Sequence, residues 1–139
     1  MWRAYASGAA HPSLLCARLH GERLGNWQAT ADVAEGVLQI EAFNPLLRCE
    51  AYRLLGRARS ELGQRAKACE AAEAAAAEAA LARYVWLEML SLRDLLRWCE
   101  ASEAERARHR LAGVVQRMAA TPEELINVLG EGALAAAER

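Results

Sequence analysis

Apolar side chains recur every three or four residues along most of this chain, the spacing that aligns them on one face of an α-helix. Residues 13–24 and 27–42 both show this period, and no long run alternates apolar and polar positions. Residues 83–99 are apolar around most of a helix circumference, which indicates burial between neighbouring helices. The pattern therefore predicts an all-α protein.

Helix-breaking residues divide these periodic segments. Gly25 and Gly63 each follow a leucine, and Asn44-Pro45 interrupts helix because the residue before proline is pushed out of the α region. Ser102 with Glu105 has capping-box spacing, and Thr121-Pro122 is a strong helix start. We expect seven helices, over about 13–24 (with Pro12 in the first turn), 27–42, 46–62, 65–81, 83–99, 102–119 and from 122 onward. Their short connections predict antiparallel neighbours.

One stretch has a more specific pattern. Tyr52 precedes Leu55-Gly56, then a Leu62-Gly63 corner, and small residues follow at Ala68, Ala72 and Ala75. Over residues 49–82 this resembles the tetratricopeptide repeat. The resemblance implies that Gly56 and Ala68 face each other where two helices cross, with Ala75 facing the next hairpin. It is weaker over 11–48, where Thr30 replaces the usual alanine, and poor after 82.

These observations predict a short α-solenoid of antiparallel helical hairpins, with about seven helices in one tetratricopeptide-like domain over 11–139. The expected parts are an N-terminal arm over 1–10, hairpins over about 11–44, 46–82 and 83–119, and a C-terminal capping helix over 121–137. A different helical-hairpin family and a closed helical bundle remain as alternatives.

Composition supports the helical prediction and excludes several classes of partner. The chain has 32 alanines and 20 leucines among 139 residues, both strong helix formers. A net charge of −1 gives no electrostatic footprint for nucleic acid. No run of 18 apolar residues exists, so we expect no integral membrane segment. The first 21 residues contain Arg3 and Arg18 but no acid, so organelle targeting is left open.

The four cysteines, Cys16, Cys49, Cys69 and Cys99, are scattered without a CxxC pair. We interpret them as reduced structural thiols, in the cytoplasm or another reducing compartment. Cys16 and His20 are four residues apart and share a helix face, but no second pair completes a zinc site. We therefore expect no metal and no cofactor.

No motif predicts catalysis. A Gly-rich phosphate loop, a metalloprotease helix and a nucleophile elbow are all missing from the sequence, and the three histidines are far apart. We therefore expect a protein that is not an enzyme.

The resemblance places the first helix of each hairpin along a binding groove. Arg53 and Arg57 are four apart on the third helix, so both guanidinium groups point the same way, and guanidinium suits carboxylates. The candidate partner-binding residues are Arg53, Arg57, Tyr84, Leu87 and Ser91, with Trp86 as an exposed apolar contact. Alternatives for the arginine pair are simple solvation and a clamp for a partner's acidic C-terminus.

We therefore expect an adaptor or scaffold that binds a peptide or protein subunit through a helical-repeat groove, as a component of a larger complex. The alternative is a closed helical domain that acts as a structural or oligomerising subunit.

Overall fold

Six helices pack in the order in which they occur along the chain. The computed structural model describes residues 2–40 and 44–118, with side chains from Pro12 onward. The helices are α1 (Trp2–Leu24), α2 (Trp27–Ile40), α3 (Pro45–Glu61), α4 (Arg65–Ala82), α5 (Val85–Trp98) and α6 (Ala101–Arg117). These ranges contain no strand, which confirms the all-α prediction. The predicted capping helix at 121–137 lies outside the described residues.

The helices form three hairpins, α1–α2, α3–α4 and α5–α6. Each hairpin packs on the next through α2 against α3 and α4 against α5. The first helices also meet, since α1 contacts α3 and α3 contacts α5. Across the described ranges α1 and α6 share no packing of similar extent, whereas the two ends of a closed bundle would. The architecture is an open array of antiparallel hairpins. The short connections predicted the antiparallel neighbours, and the repeat resemblance predicted the open array.

Left-handed backbone occurs at three of the turns between helices. Gly25 has φ 67° and Gly63 has φ 77°, which glycine adopts easily because it has no Cβ. These two residues confirm the predicted Leu-Gly corners. The third turn, between α4 and α5, uses Arg83 with φ 59° as the C-cap of α4.

Two helix starts differ from the sequence-based expectation. α1 begins at Trp2, so the structure has helix where an N-terminal arm was expected, and Pro12 lies inside the helix instead of in its first turn. α6 begins at Ala101 because Glu100, in extended backbone, takes the N-cap position, which leaves Ser102 inside the first turn. Asn44 caps α3 as its break predicted, and its side chain accepts from the backbone N–H of Leu47 at 3.3 Å.

Small residues allow α3 and α4 to cross closely. A Cβ atom on Gly56 would lie 3.3 Å from the backbone oxygen of Ala68, which confirms that these two residues face each other. Ala75 is fully buried beside Cys49, whose Sγ donates to the Ala75 carbonyl at 3.4 Å, and Leu87 of α5 packs on this pair. Ala75 of α4 therefore lies against both α3 and the next hairpin.

The first hairpin achieves close packing differently. Gly21 accommodates the ring of Trp27, since a Cβ there would lie 2.5 Å from two ring carbons. Thr30 is fully buried, and its hydroxyl donates to the Ala17 carbonyl at 2.7 Å. The threonine that departs from the repeat pattern thus bonds the backbone of α1, so its polar group is buried without penalty.

Candidate functional site: an arginine-lined groove

A groove of about 380 Å³ runs along α1, α3 and α5, the first helices of the three hairpins. Its lining contains five arginines and three acidic residues. The residues are Leu14, Leu15 and Arg18 of α1; Glu50, Arg53, Leu54, Arg57, Ser60 and Glu61 of α3; and Arg93, Asp94, Arg97 and Trp98 of α5. We call this feature the arginine groove.

At one end of the arginine groove, the Glu22 carboxylate, which lies just outside the groove, binds two of its arginines. Glu22 accepts from Nε of Arg18 at 2.9 Å and from Nη1 of Arg57 at 2.5 Å. These two hydrogen bonds lower the pKa of the Glu22 carboxyl. Arg57 also lies over the Trp27 ring, 5.0 Å from its centroid, in cation–π geometry. Arg57 is therefore held in position while 41% of its side chain stays exposed.

Asp94 forms the floor of the arginine groove. It is only 5% exposed, and its two carboxylate oxygens lie 3.8 Å from Nε of Arg53 and 3.4 Å from Nη2 of Arg93. Burial raises the pKa of the Asp94 carboxyl, although Arg53, Arg93 and Arg97 each act to lower it. One buried carboxyl is thus surrounded by guanidinium groups from α3 and α5.

Two arginines keep hydrogen-bonding capacity that the described chain does not use. Nε of Arg53 is enclosed without an acceptor among the described residues, since 3.8 Å to Asp94 is too long for a hydrogen bond. Arg97 is exposed and forms no hydrogen bond or ion pair with any residue of 12–40 or 44–118. An anionic group entering the groove would meet unsatisfied donors at Arg97, whereas the Nε of Arg53 is enclosed and only 22% of the Arg53 side chain is exposed.

Apolar surface accompanies these charges. Leu15 lines the groove and is 50% exposed, and Trp98 lies at the α5 side, partly buried against the core. The arginine groove can therefore contact an apolar side chain as well as a carboxylate.

The structure separates the predicted site residues into two groups. Arg53 and Arg57 line the arginine groove together, where they were expected. Tyr84 and Trp86 are 39% and 45% exposed near the start of α5, but neither is among the residues that line the groove.

The other two predicted residues of α5 face the core, Leu87 partly buried and Ser91 fully buried. Leu87 packs against Cys49 and Ala75, and Ser91 is fully buried, with its hydroxyl donating to the Leu87 carbonyl at 2.7 Å. The groove residues of α5 are instead found one to two turns further along that helix.

Sequence reasoning did not assign Arg93, Asp94 and Arg97 to the groove, yet two signals were available. Arg93 and Arg97 are four apart, the same spacing as Arg53 and Arg57. Asp94 and Trp98 also continue the stripe of Leu87 and Ser91 at intervals of three and four. This stripe leaves the interior and enters the groove as α5 proceeds.

The fold and this site define a class: an all-α protein of stacked helical hairpins with an arginine-lined groove on their first helices. No protein-family model, curated protein or solved structure matches the chain. Among the helices in the described ranges, none combines the length and apolarity needed to cross a membrane.

Proposed function

We propose that this chain is a non-catalytic adaptor or scaffold whose arginine groove holds an acidic segment of a partner protein. The observation that carries the proposal is the convergence of five arginines from three helices on one groove. Guanidinium groups bind carboxylates through paired, charge-assisted hydrogen bonds. Arg97 has donors left for that purpose within the described chain, and 22% of the Arg53 side chain is exposed in the same groove.

The lining also indicates what kind of segment fits. Carboxylates would bind near Arg53 and Arg97, while an apolar side chain would pack between Leu15 and Trp98. A segment that mixes Asp or Glu with a large apolar residue satisfies both features. Such a segment could belong to a subunit of a larger complex.

The same proposal assigns the hairpins to a tetratricopeptide-like architecture. It is supported by the close crossing of Gly56 and Ala68, by the glycine corners at Gly25 and Gly63, and by the stacking of the first helices α1, α3 and α5. In such an array the first helices form the binding surface, and the arginine groove lies on these helices.

Fluorescence anisotropy with a labelled acidic peptide containing leucine and phenylalanine tests the proposal. A second peptide, with each acid replaced by lysine, is the matched ligand control. We expect the acidic peptide alone to bind, with an affinity that falls as salt is added because exposed charges are screened.

Charge-reversal variants test whether the arginine groove is the surface that binds the acidic peptide. Arg53→Glu and Arg97→Glu should each weaken binding by roughly tenfold or more, the equivalent of about 1.4 kcal/mol. Lys67→Glu makes the same change of charge at an exposed position of α4 outside the groove and should leave binding unchanged. Circular dichroism of each variant checks that the helices remain folded. Equal binding by all three variants would overturn the groove assignment.

The alternative, a structural or oligomerising subunit, predicts a different outcome. The chain would self-associate in light scattering, and Arg53→Glu with Arg97→Glu would leave that association intact.

A further inference from the structure

A second group of chemically reactive side chains lies where α4 meets the turn between α5 and α6. Cys69 of α4 and Cys99, the C-cap of α5, are joined by a disulfide, with their Cα atoms 5.6 Å apart. This pairing corrects the expectation of four reduced thiols. The two cysteines are 30 residues apart in sequence, and the packing of α4 on α5 brings them together.

Glu103 completes the group. It lies in the first turn of α6, and one of its carboxylate oxygens is within 4.8 Å of both sulfur atoms. Zinc binds thiolate sulfur at about 2.3 Å and carboxylate oxygen at about 2.0–2.2 Å, so ligand atoms around one ion are roughly 3.5 Å apart. Small side-chain rotations would bring the reduced sulfurs and the carboxylate to these distances.

The surroundings of the two cysteines allow access from solvent. Both cysteines and Glu103 line an open groove of about 780 Å³ between α4 and α6. Cys99 lies two residues before α6 begins, and no side chain caps the first N–H groups of that helix. The positive end of α6 and the negative end of α5 therefore both lie at Cys99. Arg106 lines the same groove, as do Arg110 and Glu73, which form an ion pair at 2.6 Å.

The remaining cysteines are unsuited to this chemistry. Cys49 is fully buried, and burial raises the pKa of its thiol to about 11, so it stays protonated at neutral pH. Cys16 is exposed and belongs to no ligand cluster among the described residues. The pair formed by Cys69 and Cys99 is therefore distinct in both geometry and environment.

We propose that Cys69, Cys99 and Glu103 form a redox-gated site for a thiophilic divalent cation, with Zn²⁺ as the probe. The reduced pair and Glu103 supply three ligands, and the fourth position is open to water or to an external group. Soft thiolate ligands select such ions over magnesium and calcium. On binding, each thiol releases its proton to solvent.

Oxidation closes the site. The two thiols lose two protons and two electrons to a low-molecular-weight disulfide, which becomes two thiols as the Cys69–Cys99 bond forms. A dithiol reductant reverses the step and is itself oxidised to a cyclic disulfide. Because the disulfide contains no thiolate, the oxidised chain has lost two of the three ligands.

Zinc titration of the full chain in competition with a chromophoric chelator tests the proposal. The chain is first reduced with dithiothreitol, and the reductant is removed without oxygen. We expect one Zn²⁺ per reduced chain, with release of about two protons near neutral pH. The oxidised chain should bind none. Substitution by Co²⁺ should give a thiolate-to-cobalt charge-transfer band in the reduced chain only.

Three variants separate the assigned ligands from other groups. Cys99→Ser and Glu103→Gln should weaken zinc binding by roughly tenfold or more, whereas Cys16→Ser should bind like the original chain. Each variant is checked for helix content first. The proposal is overturned if the reduced chain binds no zinc, if oxidation leaves binding unchanged, or if Cys99→Ser binds as tightly as Cys16→Ser.

Discussion

Gly56 of α3 lies directly against the indole of Trp98 of α5: a Cβ atom on Gly56 would be 2.8 Å from Cζ3 of that ring. The same Cβ would lie 3.3 Å from the backbone oxygen of Ala68 on α4. A single missing methyl group thus sets the approach of α3 to two other helices, and it positions Trp98 in the arginine groove.

Replacement of Gly56 should therefore destabilise the fold. Gly56→Ala gains helix propensity of about 1 kcal/mol but introduces a clash with a rigid ring, and overpacking costs about 1–3 kcal/mol. Gly113→Ala is the matched control, because a Cβ there meets no atom within 4 Å and only the propensity gain remains. Urea unfolding should show Gly56→Ala to be the less stable variant by about 1–3 kcal/mol. Equal stabilities would contradict the close crossing.

Glycine in place of Arg83, in the turn between α4 and α5, should increase the stability of the fold. Arg83 has φ 59°, a conformation that costs an L-residue about 1–2 kcal/mol. Arg83→Gly removes that strain but adds freedom to the unfolded chain, so we expect a net gain of up to about 1 kcal/mol in thermal or urea unfolding. Gly63→Ala, where φ is 77°, should lose stability by a similar amount. A destabilised Arg83→Gly would show that the Arg83 side chain matters more than its backbone.

Stability should depend on pH through Asp94 in a direction opposite to most carboxylates. Burial raises the pKa of Asp94 above its ordinary value of 3.8, so the folded chain binds this proton more readily than the unfolded chain. Lowering the pH from neutral through the raised pKa therefore adds stability, until 3.8 is reached. Measured by urea unfolding, the original chain should gain stability relative to Asp94→Asn as the pH falls from neutral.

Glu22 provides the control of opposite sign. Arg18 and Arg57 lower the pKa of the Glu22 carboxyl, so its contribution is present above the ordinary value of 4.5 and is lost as the pH falls through the lowered value. Relative to Glu22→Gln, the original chain should lose stability under acid.

For Asp94 the contradicting outcome is different. Parallel pH profiles for Asp94→Asn and the original chain would contradict the buried position of Asp94.

Local sequence patterns were sufficient for most of the fold. The corners at Gly25 and Gly63 and the break at Asn44 were predicted because turn geometry depends on the residues at the turn. The crossing of Gly56 and Ala68 was predicted because two helices in one hairpin have a fixed register. The start of α6 was missed because Glu100 and Ser102 compete for the cap, and local sequence does not decide between them.

Features that join different hairpins were harder to predict. Two of the five arginines of the groove, Arg53 and Arg57, were predicted to share one face of α3, but the contribution of Arg97 depends on how α5 rotates against α3. The bond between Cys69 and Cys99 requires α4 to pack on α5 at one particular height. Neither the rotation nor the height is encoded in a short window of sequence.

The disulfide also closes residues 69–99 into a covalent ring. The ring contains most of α4, all of α5 and the exposed Arg83 turn between them. A protease that cuts after Arg83 would open this ring without dividing the molecule, and both pieces would stay linked until Cys69 and Cys99 are reduced. In the oxidised state, a chain break at the left-handed Arg83 turn thus leaves the two pieces covalently linked.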